Sequence, residues 1–476
     1  MSALTLSLSE IRGLEPAEAA ALNALVEQLA AKRDRGALRN RYYDSKQTIQ
    51  HLGISIPPSM RSVETVVGWP SKAVDSLERR IDLEGFVIPG ADWSDFGLDA
   101  LWSDNRLELE ASQAHTSALK LSVSFVAVLA GDPARGEPEV VIRPLSALSS
   151  TAVWNPVSRR VEVALSVTSE SATHIEEFIL YTPAAVVTCS KGRNGWTVDR
   201  RPHRLGRAPV AVLPFRPSLE RPFGSSRISR AVMSITDRAV RTLLRSEVSA
   251  EFYSSPQRYV LGASESDFVG ADGQAKTGWE VMLGKMLVLD YAEDGTEPKV
   301  GQFPQMTMQP HMDMVRADAA LFSGETGIPV NSLGIIHDNP ASDAAMQTAY
   351  LDLVKEAERA HVPFGMGWVD AMRMAVQVRD GLESPPDELR MMRARFRNPA
   401  TSTRSEAASS LVALASVRPG IAQSDVLLEE YGFDQSQIER IKADERRSQV
   451  GSLVSSLRSA ASQVSDTAAE AASRRQ

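Results

Sequence analysis

Apolar positions along this chain change their period several times, and each change marks an element. Residues 14–45 place Ala19, Leu22, Leu25, Val26 and Leu29 on one side behind Pro16, the spacing of an amphipathic helix that ends at residues 39–44. Residues 60–80 predict a second helix, interrupted at Gly68-Trp69-Pro70, and residues 104–126 a third. The period then shortens. Residues 139–143, 161–167, 174–181 and 209–213 alternate or run apolar, and turn clusters at Asn155-Pro156 and Gly192-Arg-Asn-Gly195 separate them. Helices followed by strands predict an α+β domain over about residues 1–224.

Helical spacing returns at Gly224-Ser225-Ser226 and continues to about Ser254. Arg227, Arg230, Arg238, Arg241 and Arg245 fall within an arc of about 80°, while Ile228, Val232, Ile235 and Ala239 share another face. Residues 257–262, 280–290 and 298–303 read as short strands among Gly/Asp turns, and an acidic loop covers residues 290–297 with Asp290, Glu293, Asp294 and Glu297. Met308, Met312, Val315, Ala319 and Phe322 then recur in a heptad-like seam, which predicts a helix packed along another helix.

A loop rich in Gly, Pro and Asn (residues 327–340) opens into the longest helical pattern, residues 342–379. Asn339 or Ser342 is suited to cap it, and Pro340 suits its first turn. That helix would reach roughly 55 Å, with a bend at Pro363. Residues 362–378 are apolar on nearly every side, so something must cover them; a ring of identical neighbours would do so. Residues 382–387 break the pattern, residues 391–397 read as one more strand, and residues 402–458 are helical in three pieces. The last fifteen or so residues are expected to be frayed.

Composition narrows the function classes. The 476 residues, 43% apolar and 24% charged, suit a folded protein of two or more domains. No apolar run is long enough to span a membrane, and the N-terminus lacks the basic and apolar regions of a secretory signal. One cysteine, Cys189, excludes an internal disulfide and a Cys-rich zinc site, and reads as a small strand residue in a protein assembled in a reducing cytoplasm. The formal charge of −8 argues against tight, static binding to DNA phosphates, yet is compatible with DNA that must pass without sticking. There is no GxxxxGK[ST], GxSxG or HExxH sequence, and the seven histidines are scattered singly. No enzyme, cofactor or metal site is expected.

The order of parts resembles the portal proteins of tailed bacteriophages, the head-to-tail connectors of the siphophage type. The resemblance is carried by Leu38-Arg-Asn-Arg-Tyr-Tyr43, Gly53-Ile54, residues 63–86, residues 209–214 leading to Gly224-Ser-Ser-Arg-Ile-Ser229, Glu325-Thr-Gly-Ile-Pro329, and Arg393-Ala-Arg-Phe-Arg-Asn-Pro399 before a Ser-rich helix start. It lies in their order and spacing over nearly the whole chain. It implies a ring, of twelve subunits in this family, at one capsid vertex of the virion, assembled in the host bacterial cytoplasm. Through it double-stranded DNA is packaged and ejected.

On that resemblance residues 1–225 form a wing, 226–254 a first stem helix, 255–307 a clip and 308–327 a second stem helix. Residues 328–341 form a tunnel loop, 342–379 a long kinked helix, 380–401 a wing return strand, 402–460 a crown and 461–476 a disordered tail. The implied partners are further copies of the chain, DNA, the terminase large subunit, head-completion proteins, and the major capsid and scaffold proteins.

Each candidate site has a plainer alternative. The stem arginines face DNA or pair with acidic residues of a neighbouring subunit. Asn331, Ser332, His337, Asp338 and Asn339 approach DNA or only form a turn and a cap. The acidic loop at 290–297 meets the motor and adaptors or is a solvated hairpin tip. The 308–322 seam is packing in either case. Two other classes stay open on sequence alone: an enzyme or adaptor that buries the long helix in its own core, and a different capsid-associated structural or scaffold protein.

Overall fold

A computed structural model describes residues 11–49, 64–171, 174–253, 258–261, 299–302, 307–335 and 348–400. Beyond these it describes 412–413, 416, 428, 431, 433 and 437–448. The chain divides into two compact units, Met1–Pro399 and Ala400–Gln476.

The first unit mixes helices and antiparallel sheets. Helix α1 (Pro16–Tyr43) starts at a capping box in which Glu15 and Glu18 exchange side-chain and backbone bonds, with Pro16 in the first turn. Its Leu22, Leu25 and Leu29 are buried, as the spacing predicts. Helix α2 (Trp69–Glu78) begins only at Trp69; residues 64–68 are not helical, because Gly68 and Pro70 suit a helix start and not an interior. Strand β1 (Leu83–Val87) follows, then α3 (Leu98–Asp104) and α4 (Leu107–Leu121).

The third predicted helix ends five residues early. Ser122 takes a left-handed φ of 90°, and Val123–Ala130 is strand β2, buried over its first six residues. A fully buried strand shows no alternation, so its apolar run continues the helix pattern without a visible break.

Strands β3 (Val140–Ser146), β4 (Ser150–Asn155), β5 (Arg160–Glu170), β6 (Ile175–Tyr181), β7 (Ala185–Gly192), β8 (Gly195–Pro202) and β9 (Val210–Pro214) complete two sheets. One has the order β3-β2-β9; the other is the meander β4-β5-β6-β7-β8, closed at Gly192↔Gly195 where the turn cluster predicted it. Helix α1 covers the meander: Leu22, Leu25 and Leu29 pack with Val163, Leu165, Phe178, Leu180, Val187 and Cys189. Burial pushes the Cys189 thiol up to about 12, so it is a packed strand residue and not a nucleophile. Arg200 pairs with Glu18 and Arg33 with Glu170, fixing the helix across the sheet at two points.

Helix α5 (Arg230–Tyr253) and α6 (Gln309–Thr326) form an antiparallel pair, with strands β10 (Arg258–Leu261) and β11 (Lys299–Gln302) between them in sequence. Helix α7 (Leu351–Asp380) contains Pro363 without interruption and covers 30 residues, roughly 45 Å. Residues 342–347, where its predicted start falls, lie outside the described residues. Strand β12 (Arg393–Phe396) then returns to pair antiparallel with β1. In the second unit residues 437–448 are helical and Ile438 is buried.

Helix α7 packs on the three-stranded sheet at very short range. A Cβ at Gly367 would lie 2.2 Å from the Val212 carbonyl oxygen, so only glycine allows this approach. Next to it Trp368 is fully buried and donates its indole N–H to His115 Nε2 at 2.9 Å. His115 Nδ1 lies 3.2 Å from the Ile81 carbonyl, to which it must donate, so both ring nitrogens are used by a neutral imidazole. The ring stacks on Phe364 at 4.9 Å. Burial holds the His115 pKa down at about 3.

In the unfolded chain this group titrates near 6.5, so as pH falls from 6.5 towards 3 the unfolded state gains a proton that the folded state refuses. Stability is therefore lost by up to about 1.4 kcal/mol per pH unit across that window. Chemical unfolding of His115→Gln, which keeps a donor and an acceptor, is expected to lose midpoint less steeply than the parent between pH 6.5 and 4.5. Equal slopes would remove His115 from the acid response.

Candidate functional site

The segment entering α5 is built from small hydroxyl residues. Ser226 Oγ donates to the Lys120 carbonyl and accepts the Ile228 N–H at 3.0 Å, and Ser229 Oγ accepts the Val232 N–H at 3.1 Å. Ser229 is thus the cap, and the helix starts at Arg230 and not near Gly224. Ser229 Oγ also donates to Glu325 at 2.9 Å, which ties the start of α5 to the end of α6.

That displacement decides where the arginines lie. Arg227 precedes the helix and is buried, so it does not belong to a surface stripe. Its Nε donates to the Ala73 carbonyl in α2, Nη2 donates to the Thr326 carbonyl at the end of α6 at 2.7 Å, and Nη1 pairs with Glu356 in α7. Arg216 grips the other oxygen of Glu356. Burial pushes the Arg227 guanidinium pKa down, and Glu356 opposes it. Arg238 pairs with buried Asp318 of α6. Arg230 is exposed, and Arg241 and Arg245 are half-buried. Among the described residues, two of the five thus find acidic partners within their own chain, neither on DNA nor on a neighbouring subunit.

The α5–α6 seam is closed along part of its length. Val315, Ala319 and Phe322 are buried, with Phe322 against Trp69 at 5.3 Å, whereas Met308 is half-buried and Met312 is 41% exposed. On the other face of α6, Met314 and Leu321 are exposed, Leu321 by 54%.

Gly327, at φ 67°, ends α6 by donating its N–H to Ser323, and a short turn at Val330–Leu333 follows. Asn331 is exposed there, and Ser332 Oγ is 2.7 Å from the hydroxyl of Tyr350 at the start of α7. His337, Asp338 and Asn339 lie outside the described residues, as do Asp290, Glu293, Asp294 and Glu297. Of the three strands expected over 257–303, the two outer ones form the β10–β11 ladder, and residues 280–290 also lie outside. In that ladder Tyr259 lies over Gly301, where a Cβ would fall 2.3 Å from the ring. Among the described residues no cluster of His, Cys, Asp or Glu has metal-binding geometry, and no helix is long and apolar enough to cross a membrane.

The sequence profile of the family described as "Phage portal protein, SPP1 Gp6-like" matches residues 22–451. The chain belongs to this portal protein family. Relatives named portal protein from Mycobacterium phage L5 and Mycobacterium phage D29 are each 29% identical over 420 and 418 residues, covering 86% of this chain and 85% of theirs. Among solved structures, a chain in the virion of a native gene transfer agent particle aligns with a TM-score of 0.41 at 15% identity, covering 74% of this chain and 86% of that one. A chain from the neck of the native particle, computed with C12 symmetry, aligns at 0.41 and 12%, covering 73% and 85%.

In this portal protein the Arg216–Glu356–Arg227 cluster is the feature that sequence reasoning missed. Its members lie 140 and 129 residues apart, and only Arg227 stood in a recognisable pattern. Removing the carboxylate would leave a buried guanidinium without its counter-charge, a loss of about 3–5 kcal/mol. Glu356→Ala is therefore expected to unfold well before the parent in a denaturant titration, whereas Lys355→Ala, on the exposed face of the same turn, should shift it by less than about 0.5 kcal/mol.

Proposed function

We propose that this chain is the subunit of a ring at one vertex of a tailed-phage capsid, through which double-stranded DNA enters during packaging and leaves during ejection. The observation that carries the reading is the family match over residues 22–451. Its ring is proposed to contain twelve copies. It acts as a structural conduit and not as an enzyme, and serves as the docking platform for the terminase large subunit, head-completion proteins, and the major capsid and scaffold proteins.

The parts take the following roles on this reading. Residues 1–225 and 380–401 make the wing, the α5–α6 pair the stem, and residues 255–307 the clip that meets the motor and then the adaptors, with the acidic loop at 290–297 as its partner surface. Residues 328–341 are the tunnel loop near DNA, residues 342–379 the long helix, and residues 402–460 the crown. Arg230, Arg241 and Arg245 remain candidates for a basic belt; ring symmetry would repeat each of them once per subunit. The surfaces left open in a single chain support the assembly. Leu321 and Met312 on α6, and Val362 and Met366 on α7 at 63% and 70% exposure, are apolar side chains that a neighbouring copy would cover.

Purified protein is expected to form rings with a central hole, of mass near twelve chains by light scattering and negative-stain imaging. Leu321→Glu should lower the ring fraction at least tenfold without lowering the thermal midpoint of the single chain; rings of undiminished yield would move the subunit contact elsewhere. Deleting residues 336–341 should leave rings and heads intact yet block or stall packaging, read as DNA per head. Normally filled heads from that deletion would overturn the tunnel-loop assignment.

A further inference from the structure

Arg80 stands one residue beyond the C-terminal cap of α2, and its backbone is held hard. His361 Nε2 lies 3.1 Å from the Arg80 carbonyl while His115 Nδ1 lies 3.2 Å from the next carbonyl, that of Ile81. Carbonyls only accept, so each imidazole donates to the turn through that nitrogen. The His361 ring stacks on Phe396 of β12 at 4.4 Å with an interplanar angle of 4°. The turn that carries Arg80 is therefore clamped between α4, α7 and β12.

From that fixed base the side chain spans two separate parts of the chain. The guanidinium lies over the Tyr350 ring, 4.9 Å from its centroid, and Nη1 donates to the Pro399 carbonyl at 2.6 Å. Tyr350 is where the chain enters α7, and its hydroxyl meets Ser332 Oγ, so Ser332 and Tyr350 close the neck of the segment between them. Pro399 is buried and is the last residue of the first unit; the chain leaves for residues 400–476 immediately after it. One planar, permanently charged group thus holds both the neck of one segment and the root of another. Lysine would serve poorly, since stacking and a directed N–H bond are needed at once.

We infer that Arg80 is a positioning residue that couples the Ser332–Tyr350 neck to the Pro399 exit, so that a displacement at either is felt at the other. The coupling itself stands on the contacts above. Its consequence for DNA passage rests on the conduit reading, in which the neck carries the tunnel loop and the exit carries the crown.

The test perturbs one end and reads the other by amide hydrogen exchange on the full-length chain. Tyr350→Leu removes the ring under the guanidinium. It is expected to speed exchange about fivefold to tenfold at Arg397, Asn398 and Ala400 as well as at residues 330–335. Arg80→Gln should loosen both regions, and adding Tyr350→Leu to it should change residues 397–400 no further. Ser332→Ala, which leaves Arg80 and the Tyr350 ring in place, should loosen residues 330–335 alone. Unchanged exchange at 397–400 in Tyr350→Leu, or effects that simply add in the double variant, would overturn the coupling. Ring mass is measured on the same samples: absence of rings in the parent would count against the conduit reading and leave the exchange result standing.

Discussion

The contact of Gly367 with the Val212 carbonyl sets the depth at which α7 lies on the three-stranded sheet, and much else follows from that depth. At this distance Trp368 reaches His115, Phe364 stacks on the same imidazole, and Gly365 leaves room for Phe396 and Ala394 of the return strand. A bulkier residue at 367 would lift the helix and separate all three. The same 30-residue helix carries, before Pro363, the contact of Glu356 with Arg227 and, at its cap, that of Tyr350 with Arg80. Backbone packing near its centre and charged contacts at its start thus share one element.

Those charged contacts are mostly internal. Arg227 and Arg216 share Glu356, Arg238 takes Asp318, Arg207 takes Asp370 through two bonds of 2.7 Å, and Arg200 takes Glu18. Buried pairs of this kind add little net stability compared with apolar packing, but each is costly to break singly, so they fix which segment meets which.

Sequence pattern made much of the fold legible, and its failures have definite causes. Helix α1, the β7–β8 turn, the α5–α6 order and the long helix follow from periodicity and from Gly and Pro positions, which are local properties. Strand β2 was read as helix because burial on both faces removes alternation and Ser122 is an unusual residue to take a left-handed turn. The start of α5 was misplaced by four to six residues, since three serines at 225, 226 and 229 are all competent caps and only Ser229 reaches the right amide. The arginine arc was visible as an angle. Its partners were not, because Glu356 and Asp318 are brought to it by tertiary structure from 129 and 80 residues away. Of the candidate loop residues, Asn331 and Ser332 fall on a described turn, and only Tyr350, outside any motif, explains what Ser332 does.

A single chain leaves some of its elements unfinished. Two strands paired only with each other, as β10 and β11 are among the described residues, make a ribbon that is marginal in water alone. Met312 and Leu321 are exposed on α6, and Val362 and Met366 on α7. Apolar side chains are exposed elsewhere too, Val157 in the β4–β5 turn and Leu219 after β9 among them, whereas these four share two helices. A protein that functions alone would gain by polar residues at those four positions. Retaining apolar ones is physically sensible where a second copy of the same surface completes the packing, and a closed ring is the arrangement in which every copy is completed equally.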